Sequence, residues 1–222
     1  MKINKRAYLI TGIFALSTLV GLANRPANGI EGGKTFPPTQ TALKVVNKAK
    51  TQKPATKTAT IRIEGEKSNI TLRLYQQSSL QFSTYYPASY FVPETSSSGE
   101  GTGVRFIVNA GGSKNDKAYV HFAFMSGMKN IGQVKNFVNG KRGLIASNGW
   151  RVVSRTQKIP YRWAKEKISF QQRKGNEIIQ GNVYLGEYKG KSFYVISHYP
   201  GEYGDGFGPR EDLVLENLDF AW

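Results

Sequence analysis

Ile61-Arg62-Ile63-Glu64-Gly65-Glu66-Lys67-Ser68-Asn69-Ile70-Thr71-Leu72-Arg73-Leu74-Tyr75 is the stretch whose periodicity decides the fold class. Ile61 and Ile63 alternate with Arg62 and Glu64. Ile70, Leu72 and Leu74 alternate with Thr71, Arg73 and Tyr75. Alternation at period two puts the apolar side chains on one face of an extended chain, so both runs read as half-buried strands. The polar stretch 65–69 between them makes the pair an antiparallel hairpin.

Working outward, residues 80–86 form an aromatic strand stopped by Pro87, and residues 95–102 read as a Ser/Gly-rich loop. Val104, Phe106 and Val108 then resume the alternation and pair with Val120, Phe122 and Phe124 across a turn at 111–116. The period changes at 128–138, where Met128, Ile131, Val134 and Val138 share one helical face. Asn139-Gly140 is expected to close that helix with a left-handed cap. Strands follow at 150–155, 167–172, 177–187 and 191–198, the last two joined by the short turn Tyr188-Lys189-Gly190. A terminal helix is expected from about Pro209, with Glu211 and Asp212 near its positive end and Leu215 and Leu218 buried. Short connections between strands favour antiparallel pairing, and the order strands, helix, strands, helix points to an α+β domain with helices packed on a curved antiparallel sheet.

The segment Phe82-Ser83-Thr84-Tyr85-Tyr86-Pro87-Ala88-Ser89-Tyr90-Phe91, the paired strands 103–108 and 118–124, and the closing Leu218-Asp219-Phe220 together resemble the PsbP-like domains of extrinsic photosystem II subunits and related exported bacterial proteins. The resemblance covers about residues 61–222. It implies an α/β/α sandwich without enzymatic activity that binds or helps assemble a membrane complex from its lumenal or periplasmic side.

The N-terminus is a separate layer. Lys2, Lys5 and Arg6 precede the uncharged apolar run 7–22, and Gly21-Leu22-Ala23 ends it with small residues, the pattern of a secretory signal peptide over 1–23. Interruption by Thr11, Gly12, Ser17, Thr18 and Gly21 favours cleavage over a permanent anchor. Residues 24–60 read as a basic flexible linker, with seven cations against the single acid Glu31 and few large apolar residues. The single α+β domain is expected over 61–222. The expected setting is extracytoplasmic: periplasm, thylakoid lumen or secreted. The chain has no cysteine, which excludes disulfides, thiolate metal sites and thiol nucleophiles. With 39% apolar and 12% aromatic residues, the body can build its core from packing alone.

Charge is unevenly spread within the net +16. Residues 101–175 hold fifteen cations and two acids, whereas residues 176–222 hold three cations and eight acids. Lys129, Lys135, Lys141, Arg142, Arg151, Arg155 and Arg162 are the candidate partner-binding residues of a basic side, since a field of one sign steers association with an anionic partner. A basic chain with interleaved aromatics would ordinarily suggest nucleic acid. Export argues against that and favours an acidic protein or membrane complex on the extracytoplasmic side, with peripheral membrane contact as a further route.

Catalytic signatures are thin. Ser126-Gly127-Met128-Lys129 has the S-x-x-K spacing without its partner motifs. Residues 186–192 imitate a phosphate loop, with three residues between the glycines instead of four, and they join two strands. Asn69-Ile70-Thr71 fits a glycosylation sequon inside a strand. Of the two histidines, His121 sits within a strand opposite Val120 and Phe122. His198 ends a strand and is followed by Glu202 and Asp205. His198, Glu202 and Asp205 are the candidate ligands of a divalent cation, or a general base with an orienting acid in a small extracytoplasmic hydrolase. The other reading of the same loop is a structured turn in which the carboxylates bond backbone amides. No other cofactor is expected.

Overall fold

The computed structural model describes residues 53–220. The expected signal peptide and linker residues 24–52 lie outside the described residues. Ten strands and three α-helices follow in order: β1 (Thr56–Ile63), β2 (Glu66–Gln77), β3 (Phe82–Pro87), β4 (Phe91–Ser98), β5 (Gly101–Ala110), β6 (Ser113–Met125), α1 (Ile131–Asn139), α2 (Leu144–Ser147), β7 (Arg151–Thr156), β8 (Ala164–Lys174), β9 (Glu177–Tyr188), β10 (Lys191–Pro200) and α3 (Gly204–Glu216).

The strands form two antiparallel sheets, not one. A small sheet has the order β1-β2-β3, and a seven-stranded sheet has the order β4-β5-β6-β10-β9-β8-β7. The chain runs through β4, β5 and β6 as a meander, crosses by way of α1 and α2 to the far edge, and returns through β7, β8 and β9 until β10 pairs with β6. The class is α+β, with helices packed on antiparallel sheet.

The period-two hairpin is present and longer than its apolar pattern. β1 and β2 pair from Thr56 opposite Arg73 to Ile63 opposite Glu66, leaving only Glu64-Gly65 as the turn. Both turn residues have positive φ, +50° and +87°, as the tight hairpin requires. The strand begins at Thr56 inside the expected linker, so the domain starts by Lys53 and not at Ile61. Thr56, Lys57, Thr58 and Thr60 are exposed on an edge strand, where backbone pairing with β2 replaces the missing apolar alternation.

The same reason corrects the expected loop at 95–102. β4 and β5 pair down to Ser98 opposite Gly101, and only Gly99-Glu100 turn. β4 is an outer strand, so its serines face water and Pro93 costs no ladder bond on the open side. The turn expected at 111–116 tightens to Gly111-Gly112, with Ala110 opposite Ser113.

The main core lies on one face of the large sheet, under β3 and α3. Phe82, Phe106, Phe122, Trp163, Phe193 and Phe207 are enclosed there, each worth about 1.5–3 kcal/mol of transfer free energy. A second core lies on the opposite face, where Val134 and Val138 of α1 cover Ile168, Phe170, Val183, Leu185 and Ile196. Successive residues of β10 therefore serve different cores, Phe193 and Val195 on the α3 side, Tyr194 and Ile196 on the α1 side.

α1 starts where Asn130 caps it, its side chain accepting from the Gln133 amide at 3.0 Å while Gln133 Oε1 accepts from the Lys129 amide at 2.7 Å. It ends without the expected left-handed cap. Gly140 is extended, φ −60° and ψ 160°, and its amide donates to the Asn136 carbonyl. α3 begins five residues before Pro209, after a 3-10 turn at Gly201–Tyr203, so Pro209 sits inside the helix. The amide it lacks would have reached Asp205, which is exposed and open to water. At the other end, Thr84 Oγ1 donates to the Val214 carbonyl at 2.6 Å and Trp163 Nε1 to the Leu215 carbonyl at 3.0 Å, satisfying acceptors the helix cannot satisfy itself.

Candidate functional site

Between Lys117 and Lys165 the chain carries ten cations and no acid, and the fold collects most of them at one end. Lys129 precedes α1, Lys135 lies on it, Lys141 and Arg142 lie in the connection to α2, and Arg151 and Arg155 lie on the edge strand β7. All six are exposed, because the buried side of α1 is taken by Val134 and Val138. The seventh candidate, Arg162, is exposed elsewhere. Its guanidinium stacks on Tyr188 at 4.6 Å and lies 3.9 Å from Asp219.

The six differ in how free they are. Glu166, nearly buried, accepts from Arg155 Nη1 at 2.9 Å and lies 3.4 Å from Lys135 Nζ, while Arg155 Nη2 donates to Asn139 at 2.7 Å. Arg151 donates to Gln171 across the β7–β8 pair. Lys129, Lys141 and Arg142 make no ion pair among the described residues. Beside Arg151, a depression of about 370 Å³ is lined by Gly149, Gln171, Gln172, Arg173 and the exposed Ile178. β7 itself protects the sheet edge. A bulge between Val152 and Ser154 turns Val153 out to solvent, 52% exposed, and the two arginines flank it.

The metal reading is corrected by the period of β10. His198 shares a face with Tyr194 and Ile196, on the α1 side, whereas Tyr199 packs against Phe207 of α3 at 4.6 Å on the other. Glu202 is exposed in the 3-10 turn, and Asp205 is exposed in the first turn of α3, an element packed on the opposite side. Among the described residues no group of three histidine, aspartate or glutamate side chains is placed to hold a metal ion. Neither carboxylate caps a helix through its side chain; they sit near the positive end of α3, where negative charge is favoured.

His198 belongs instead to an aromatic row across the sheet. Its ring lies parallel to Tyr119, centroids 5.0 Å apart and planes 9° apart, and 6.3 Å from both Trp150 and Phe170. Nδ1–H donates to the Lys117 carbonyl at 2.7 Å. Burial lowers the His198 pKa despite that bond, so the imidazole is neutral near pH 7. Trp150 and Phe170 stack at 4.0 Å and close the row. On its far side the Arg105 guanidinium lies 4.0 Å above the Tyr119 ring.

His121, opposite Arg105 in the β5–β6 ladder, is on the same face, and burial with the neighbouring Arg105 charge lowers its pKa to about 4. Both histidines of the chain thus lie together with Arg105 and Tyr119, a grouping that needs the register of β5, β6 and β10. The signal visible in sequence is that Arg105 and His121 each interrupt an apolar alternation on its solvent side.

The Ser126–Lys129 spacing falls in the connection from β6 to α1, and residues 186–192 form the β9–β10 hairpin with Lys189-Gly190 as its turn, φ +48° and +74°. Among the described residues no helix is long and apolar enough to cross a membrane. Compared with known proteins, the chain matches no family model and no curated protein.

Proposed function

We propose that this chain is a non-enzymatic binding or assembly module working outside the cytoplasm, in a periplasm or thylakoid lumen, that docks its basic end on an acidic protein or membrane complex in the manner of a PsbP-like subunit. The observation that carries this reading is the acid-free run from Lys117 to Lys165, with six of its cations exposed on and around α1, α2 and β7. Solubility alone calls for mixed charge, and a surface dominated by one sign, here with Glu166 as the acid set among its cations, is the feature that accelerates capture of an oppositely charged partner. Lys129, Lys141 and Arg142 are exposed and make no ion pair among the described residues, so a partner carboxylate replaces water there.

Retention of the protein on its native membranes tests the proposal. Binding is expected to weaken steeply between low and high salt, because exposed charge pairs are screened over about 8–10 Å at physiological ionic strength. A Lys129→Glu, Lys141→Glu, Arg142→Glu variant, altered only at exposed positions, is expected to fold normally and lose retention. Retention that ignores both salt and this triple reversal overturns the proposal.

A further inference from the structure

The β7 end of the large sheet presents an open, cation-lined seat. Gln171 stands opposite Arg151, Arg173 follows two residues along β8, and Ile178 on β9 stands opposite Arg173. Strand residues two apart share a face, so all four project to one side, away from Val152 and Phe170, which pack under α1. α3 packs on β3, β1 and β10, and Arg151, Arg173 and Ile178 stay exposed beside the depression that they line. Val153 and Ile178 are the exposed large apolar side chains among the described residues, and both lie on this end of the sheet.

Two guanidiniums thus border one depression with no anion between them. Neither Arg151 nor Arg173 makes an ion pair among the described residues. The nearby acids leave them free, since Glu177 on β9 is taken by Lys117 at 2.8 Å and Glu202 in the 3-10 turn pairs with no cation. Arg151 Nη2 donates to Gln171 Oε1 at 2.8 Å, which steadies the guanidinium, occupies the amide oxygen and leaves the amide NH2 as a further donor. Gln172 Nε2 donates to the Asn148 carbonyl at 2.6 Å and so holds the rim at Gly149, whose φ is +65°. Like charges on diagonal strand neighbours repel, and an oxyanion set between them turns that repulsion into charge-assisted bonds. Ile178 adds an apolar wall. An extended polypeptide serves both features, because side chains two residues apart reach the same side, one acidic and one apolar.

We propose that this depression seats one carboxylate side chain of an acidic polypeptide segment, gripped between Arg151 and Arg173, with an apolar side chain two residues away resting on Ile178. The seat presupposes the docking of the basic end on an acidic partner and gives one contact of that docking its chemistry.

The probe is the peptide acetyl-Ala-Glu-Ala-Leu-Ala-amide, whose carboxylate and leucine share a face when extended, with Gln in place of Glu as the control. Full-length protein labelled at its isoleucine methyls reports binding, the Ile178 resonance being assigned through Ile178→Val. Near pH 7 and at constant ionic strength, the Glu peptide is expected to move that methyl saturably and the Gln peptide is not. Arg151→Gln and Arg173→Gln are each expected to weaken the response roughly tenfold, as loss of a charged donor does. Arg173→Lys keeps the charge without the fork and is expected to weaken it less. Unmoved methyls of the buried Ile168 and Ile196 show that the variants remain folded. Equal movement with the Gln peptide, an undiminished response in Arg151→Gln and Arg173→Gln, or movement with phosphatidylglycerol vesicles but not with the peptide overturns the proposal. Membrane retention that stays salt-dependent and is lost in the reversal of Lys129, Lys141 and Arg142, while the peptide moves nothing, overturns the seat alone and leaves the docking reading standing.

Discussion

Phe170 lies over Gly181, the residue opposite it in the β8–β9 ladder, and so reaches the imidazole of His198 one strand further on. A side chain at 181 would block this arrangement, since a Cβ there would meet Phe170 Cζ at 2.5 Å and the Ser197 carbonyl at 2.1 Å. The second contact is with backbone and cannot yield by a rotamer change. Gly181→Ala is therefore expected to destabilise the domain by about 1–3 kcal/mol, the usual cost of forcing extra volume into a packed site. Chemical denaturation reads the loss, and near-UV circular dichroism should show the disturbed Trp150–Phe170 stack.

Glu211, on the inner side of α3, is buried with no cation paired to it among the described residues; Tyr184 Oη donates to it at 3.4 Å and the Ser197 hydroxyl is a second neighbouring donor. Burial pushes its pKa up to about 7, against an ordinary 4.5. The folded state therefore holds a proton that the unfolded state has released between those values. The stabilisation, roughly 3 kcal/mol, is complete below about pH 4.5 and is lost as pH rises through 7. Glu211→Gln is expected to flatten this slope and raise the melting temperature at pH 8 relative to the parent. A parent slope that survives the substitution would assign the effect to another group.

His121 acts in the opposite sense. Its pKa is lowered to about 4 by burial and by Arg105, so the unfolded chain binds a proton more readily. The contribution is present above about pH 6.5 and is lost as pH falls through 4. His121→Asn should remove part of the acid sensitivity without changing stability at pH 8 in the same proportion. Together with Glu211 this places maximal stability in the mildly acidic range, which a melting-temperature profile from pH 4 to 9 checks.

Asp219 ties the two ends of the described chain together. Its backbone pairs with Ser83 in both directions at 2.9 Å, and its carboxylate meets Lys53 Nζ at 2.9 Å and Lys189 Nζ at 3.0 Å. Burial alone would raise its pKa, but the bonds from Lys53 and Lys189 hold it below the usual value. Asp219→Asn is expected to cost about 1 kcal/mol at pH 7, because these pairs are partly solvated. It should also increase proteolytic nicking just before β1, which Lys53 anchors.

Where apolar alternation was strong, as in 70–74, 104–108 and 120–124, strand identity and facing were legible in the sequence, because burial on one side imposes period two. The edge strands were not. Thr56–Thr60 and Thr95–Ser98 face water on their side chains, and their extended form is held by backbone pairing with β2 and β5, which leaves no side-chain pattern. The helix boundaries failed for a related reason. Pro209 looked like a first-turn residue, yet Gly204–Gly208 could turn earlier once Phe207 had a core to enter.

The basic end was also legible, since a run without acids remains one-signed however it folds. The separation of the three expected metal ligands was not, because nearness along the chain says nothing about sides when a strand intervenes: His198 turned to the α1 face while Glu202 and Asp205 left with α3. Sequence by itself determined the α+β class, the antiparallel habit and the unbalanced charge, all consequences of local periodicity and composition. Tertiary structure alone decided that Arg105, Tyr119, His121 and His198 would share one face, because that depends on the register of three strands brought together from distant parts of the chain.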